Sequence, residues 1–155
     1  MNKPYIKLTK EDIDLAWKRG ETKYIVTKSM NLKPVFTTHN PLLRERIGYL
    51  GQIAFSKYIK KLGITDYNEI ISLHGKGDNG VDCILKGNTI DVKTSQLPNK
   101  FKSMAFDVTW FFNINQKQSR SEINYFASVM ISKNMKLAYI MGLIEPKDAD
   151  RKSVV

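Results

Sequence analysis

A chain of 155 residues fits one domain, and 42% hydrophobic with 26% charged residues excludes disorder as the default state of its body. Lys plus Arg outnumber Asp plus Glu by 25 to 15, a formal +10, which suits a polyanionic partner because each neutralised phosphate releases condensed counterions; excess lysine also serves solubility. Cys83 is the single cysteine, the N-terminal MNKPYIKLTKEDID has no apolar signal-like run, and no stretch approaches the ~18 apolar residues of a membrane span, so a soluble, cytoplasmic chain without disulfide, cysteine-zinc cluster or membrane partner is expected.

In chain order, Thr9 followed by Asp12 predicts a capped helix from Lys10 to about Arg19, stopped by Gly20. Tyr24 to Thr38 reads as loop or a short edge strand. Next comes the clearest element, a helix with Asn40 as N-cap, Pro41 at its first position and Gly63 beyond its end. Leu43, Ile47, Leu50, Ala54, Tyr58 and Leu62 form its apolar face, and it would be about 33 Å long.

After it the period changes to that of strands. These are expected near Glu69 to Leu73, Val81 to Lys86, Thr89 to Thr94, Phe106 to Ile114, Tyr125 to Ser132 and Leu137 to Ile144. Ser95 to Ser103 and Gln116 to Glu122 read as loops, and the tail from Glu145 is charged. The expectation is one α/β domain over 1–155, with a mixed, mostly antiparallel sheet flanked by helices. Its core spans about 40–144, preceded by an N-terminal helix and extension and followed by the tail.

The segment GDNGVDCILKGNTIDVKTS carries the chemistry. With Gly87-Asn88 as a two-residue hairpin turn, Lys86 faces Thr89, Ile84 faces Asp91 and Asp82 faces Lys93. Asp82, Asp91 and Lys93 then share one face, while Cys83, Ile90 and Val92 point into the core. Two carboxylates side by side make a hard-oxygen site suited to Mg²⁺ or Mn²⁺, and Lys93 can orient an attacking water or stabilise a charged transition state. A strand face with Asp and Lys is also, more simply, a solvated face with a cross-strand ion pair.

Gly80-Val81-Asp82, then eight residues, then Asp91-Val92-Lys93-Thr94-Ser95, resembles the signature of the PD-(D/E)XK nucleases, which include restriction endonucleases, phage nucleases and Holliday-junction resolvases. The resemblance covers roughly Asn40 to Ile144 and implies a restriction-endonuclease-like core and a metal-dependent DNA endonuclease. It implies metal ligands at Asp82, Asp91 and the carbonyl of Val92, with Lys93 catalytic. Many members carry a Glu on the preceding helix within G-x-x-G-E; here Gly48-Tyr49-Leu50-Gly51-Gln52 puts a neutral amide there. Glu45, seven residues earlier, shares that helix face but lies roughly 10 Å away along the axis. Either Gln52 serves as it stands, Glu45 substitutes with a shifted helix, or activity is weak or lost.

Arg44, Arg46, Lys76, Lys100 and Lys102 are candidate DNA phosphate contacts, although a residue of this kind is more often an ordinary solvated charge. A homodimer would be natural for cutting two strands. Alternatives to the enzyme are a nuclease-fold nucleic-acid-binding module without activity, and an interaction or inhibitor protein whose basic face meets an acidic surface. His39 and His74 lack a third ligand, and Gly75-x-Gly77-x-x-Gly80 precedes a strand where a dinucleotide fingerprint would open a helix.

Overall fold

The computed structural model describes residues 4–29, 40–71, 80–97 and 123–146. The elements run β1 (Tyr5–Lys7), α1 (Lys10–Ser29), α2 (Pro41–Lys61), β2 (Tyr67–Glu69), β3 (Cys83–Leu85), β4 (Asn88–Gln96), β5 (Tyr125–Ile131) and β6 (Leu137–Ile144). They form an α/β fold with one mixed six-stranded sheet in the order β1-β6-β5-β4-β3-β2. Among the described strands β4 and β5 alone run parallel and the other neighbouring pairs are antiparallel, in keeping with a mixed, mostly antiparallel sheet.

Helix α1 starts as predicted: the Thr9 amide donates to the Asp12 carboxylate at 2.8 Å, and the Asp12 amide donates back to Thr9 Oγ1 at 3.1 Å. It does not stop at Gly20 but continues to Ser29, so the residues from Tyr24 to Ser29 are helical and neither loop nor strand. Gly20 is instead the crossing point of the two helices. A Cβ there would lie 2.7 Å from the Arg46 backbone nitrogen and 2.8 Å from its Cα. A glycine inside a helix costs roughly 1 kcal/mol relative to alanine, and here the missing side chain permits the close approach.

Helix α2 follows the sequence closely. Asn40 accepts a hydrogen bond from the Leu43 amide at 3.0 Å, and Gly63 takes a φ of +79° just past the end. Its buried surface is wider than a single stripe: Ile47, Leu50 and Ala54 are joined by Tyr49, Ile53, Phe55 and Ile59, because α1 covers one side and the sheet another. Leu62, expected on the apolar face, is 54% exposed.

Three strand expectations shift. The first strand after α2 is Tyr67–Glu69, ending where it was expected to begin, and pairs with β3 at the sheet edge; Ser72 and Leu73 of the expected strand lie outside the described residues. Ser95 and Gln96 extend β4 where a loop was expected, since β5 pairs alongside as far as Ile131. Strand β1 was not anticipated; three residues carry too little periodicity, and it exists because Tyr5, Ile6 and Lys7 find partners on β6. The expected strand Phe106 to Ile114 and the loop Gln116 to Glu122 lie outside the described residues.

The main core lies between α2 and one face of the sheet. There Cys83, Ile90, Val92, Ala127, Val129, Ile131, Ala138 and Ile140 meet Ile47, Leu50, Ala54 and Phe55, with Leu8 and Ala16 joining from the N-terminal segment. The opposite face carries Asp91, Lys93 and Phe126, beside smaller clusters built on Ile123 with Phe126 and on Met130, Tyr139 and Met141. No helix among the described residues is long and apolar enough to cross a membrane.

Candidate functional site

The hairpin turn lies one residue earlier than expected, which shifts the register of its strands by two. Leu85 pairs with Asn88, Ile84 with Thr89 and Cys83 with Ile90, so the turn is Lys86-Gly87. Both turn residues have positive φ, 49° and 81°, the backbone of a two-residue hairpin matched to strand twist. Lys86 accepts that conformation so that glycine can occupy the second turn position, and the Asn88 side chain donates back to the Lys86 carbonyl at 3.4 Å. Ile84 therefore does not face Asp91, nor Asp82 face Lys93. A register shift of two is one full pleat, so Cys83, Ile90 and Val92 stay buried in the core as expected. Asp82, expected to share a face with Asp91 and Lys93, turns instead towards Gln52 on α2, which packs on the other side of the sheet.

Asp82 departs from the ladder. Its amide donates at 2.8 Å to the carbonyl of Ile90, the residue that Cys83 already faces, so β3 gains one residue on β4 there, as in a β-bulge. Its own carbonyl accepts from the Ile70 amide at 2.9 Å. The carboxylate turns into the vacated ladder position. Oδ2 accepts from the Val92 amide at 2.7 Å, and Oδ1 accepts from Gln52 Nε2 at 3.0 Å. Because a carboxylate only accepts, the orientation of the Gln52 amide is fixed with its nitrogen toward Asp82.

What brings Gln52 there is its neighbour. Gly51 lies against Thr94 so tightly that a Cβ would sit 2.7 Å from both Thr94 Cβ and Cγ2. Gly48 has nothing within 4 Å of the equivalent position, so of the two glycines on α2 only Gly51 serves close approach. Gln52 reaches the hairpin, with Glu45 nearly two turns earlier on α2.

Asp91 and Lys93 meet across one pleat. Lys93 Nζ lies 3.0 Å from Asp91 Oδ2 and 5.9 Å from the centre of the Phe126 ring. Asp91 is only 5% exposed, and burial of a carboxylate is costly without nearby positive charge or hydrogen bonds. Gly80, with φ +86°, brings the chain past this carboxylate: a Cβ there would stand 4.0 Å from Asp91 Oδ2. Phe126 entered the site unannounced. It is the register partner of Asp91 only because β5 runs parallel to β4, a pairing with no local signal.

The remaining candidates divide. Arg46 is committed to the helix pair: its Nε donates to the Trp17 carbonyl at 3.4 Å, its guanidinium lies 5.6 Å from the Trp17 ring, and Glu21 is 3.7 Å away. Lys57, also on α2, pairs with Asp12 of α1 at 2.7 Å. Arg44 is exposed on α2. Lys76, Lys100 and Lys102 lie outside the described residues, as do His39 and His74.

Among the described residues no group of three His, Cys, Asp or Glu side chains converges. The Asp82 and Asp91 carboxylates and the Val92 carbonyl are hard oxygens, a donor chemistry that fits Mg²⁺ or Mn²⁺ and does not fit a thiophilic metal. The thiol of Cys83, 1% exposed on the core face, is pushed up to about 12 by burial and is no ligand. The chain matches no protein-family model, and comparison with curated proteins finds no match.

Proposed function

We propose that this chain is a Mg²⁺- or Mn²⁺-dependent deoxyribonuclease of the PD-(D/E)XK type, with a restriction-endonuclease-like core and with DNA as its partner. The supporting observation is the junction at Asp82. Its carboxylate ties a helix residue, Gln52, to the backbone of Val92, the residue between Asp91 and Lys93. A residue of α2, the residue that leads into β3 and a residue of β4 thereby meet at the motif that suggested the reading.

In this reading Asp82, Asp91 and the Val92 carbonyl hold the cation. When bound, it supplies Lewis acidity toward a phosphate oxygen. Asp82 enters already oriented by its hydrogen bonds, so little reorganisation accompanies binding. Lys93 carries positive charge on the same strand face as Asp91, where it offsets the negative charge that builds on the phosphoryl oxygens or orients the attacking water. The formal +10 of the chain draws DNA towards the site and makes binding fall with salt. A homodimer would supply a second site for the second strand, and the lone, buried Cys83 suits a reducing cytoplasmic setting.

The test is incubation of the purified protein with labelled linear, nicked, branched and single-stranded DNA, with Mg²⁺, Mn²⁺ or EDTA. Cleavage that requires the metal and disappears in Asp91→Ala and Lys93→Ala is expected. Intact DNA in every reaction would sink the enzymatic reading.

One observation favours a second reading, a nucleic-acid-binding module without activity. Gln52 meets Asp82 as a neutral donor where many members of the resembled family place a carboxylate. Salt-sensitive DNA binding with no cleavage under any metal distinguishes it.

A further inference from the structure

Lys93 is approached from two strands. On β4 it follows Asp91 by two residues, so both side chains stand on one face, and its Nζ lies 3.0 Å from Asp91 Oδ2. On β5 the register partner of Asp91 is Phe126, and the same Nζ lies over that ring, 5.9 Å from its centre. A lysine on an open strand face keeps its ammonium in water at the end of a flexible four-carbon stem. Here the side chain is only 19% exposed, so neighbouring groups decide where its charge rests.

The ring suits that task. Phe126 is fully buried and packs with Ile123, Val81 and Ile144, which fixes it in place. The negative face of an aromatic ring attracts an ammonium within about 6 Å, and more strongly where water is kept away. Asp91 attracts the ammonium as well, but a carboxylate that turns to another cation or to a hydrogen-bond donor gives up that hold. The attraction of the ring does not depend on the state of Asp91.

We infer that Phe126 is a positioning residue for Lys93: its ring keeps the ammonium on the strand face beside Asp91 even when the carboxylate is engaged elsewhere. The use of that placement, an ammonium presented to a phosphoryl oxygen, rests on the nuclease reading above. The placement itself does not, and the experiment separates the two.

The mobility of the Lys93 side chain is measured on the full chain by nuclear magnetic relaxation at the lysine Cε groups, without DNA or metal, against the exposed Lys133 and Lys136. Lys93 should be more rigid than those two in the wild type, and should stay so in Asp91→Ala. Adding Phe126→Leu, which keeps apolar bulk and removes the negative ring face, should free it. A Lys93 in Asp91→Ala as mobile as the exposed lysines overturns the inference, since the carboxylate would then be what holds it. A Lys93 still rigid with both substitutions overturns it too. Under the nuclease reading, Phe126→Leu alone should lower kcat roughly tenfold at unchanged KM, and a wild-type kcat in that variant also speaks against the inference. Intact DNA with the wild-type protein removes the nuclease reading alone, and the relaxation measurement still decides the placement. Asp91→Ala decides it even where the leucine variant does not fold.

Discussion

Gly51 on α2 and Thr94 on β4 approach closely enough that no side chain fits between them; a Cβ on Gly51 would stand 2.7 Å from Thr94 Cβ and Cγ2. Gly51→Ala should therefore cost roughly 2 kcal/mol or more in urea unfolding, as overpacking of a rigid contact does, and should loosen the Gln52–Asp82 hydrogen bond. Gly48→Ala, with open space at the same test, should be neutral or gain up to about 1 kcal/mol from helix propensity. Equal effects of the two substitutions would contradict this packing of α2 on the sheet.

Asp82 lends itself to a paired substitution. In Asp82→Asn the side-chain carbonyl can still accept from the Val92 amide, and the Gln52 amide can turn to present its oxygen, so stability should stay within about 1 kcal/mol of wild type. Asp82→Ala strands both donors and should cost about 1–3 kcal/mol. Under the proposed function both variants lose metal-dependent cleavage. Similar stability for the two, measured by thermal unfolding, would show that the carboxylate holds less of the hairpin than its hydrogen bonds suggest.

Cys83 should be inert in the folded protein. Burial raises its thiol to about 12, so almost no thiolate exists at neutral pH, and reagent access is closed as well. A thiol-reactive dye should label native protein very slowly and label one site per chain rapidly once denaturant is added. Fast labelling without denaturant would place Cys83 somewhere other than the core beside Ile90 and Tyr67.

Asp12 gives the fold an acid-sensitive joint between α1 and α2. Burial opposes its ionisation, but the hydrogen bonds from Lys57 and Thr9 outweigh burial and hold its carboxyl below the usual range. A folded pKa lower than the unfolded one means a contribution that is complete above the unfolded value, near 3.9, and lost as pH falls through the folded value. Lys57→Met should accordingly flatten the loss of stability below about pH 4, read from melting temperature against pH. An unchanged acid limb would show that the Asp12–Lys57 pair is not one of its causes.

Much was legible from residues alone because it depends on near neighbours in the chain. Asn40, Pro41 and Gly63 bracket α2 since caps and positive φ are local demands, and Thr9 with Asp12 opens α1 for the same reason. Alternation along residues 90 to 93 sorted Ile90 and Val92 from Asp91 and Lys93, and that sorting survived a hairpin turn displaced by one residue from Gly87-Asn88 to Lys86-Gly87, because the register then shifts by two, a whole pleat. Gly20 was misread because a glycine's effect depends on what it faces: alone it weakens a helix, whereas against Arg46 it admits a second one. The bulge that turns Asp82 onto Val92, the parallel run of β5 that sets Phe126 beside Lys93, and the seating of Gly51 that carries Gln52 to the carboxylate are contacts between segments distant in the chain. Local propensity has no access to them. Only the packing of helix on sheet decides which distant side chains share a place.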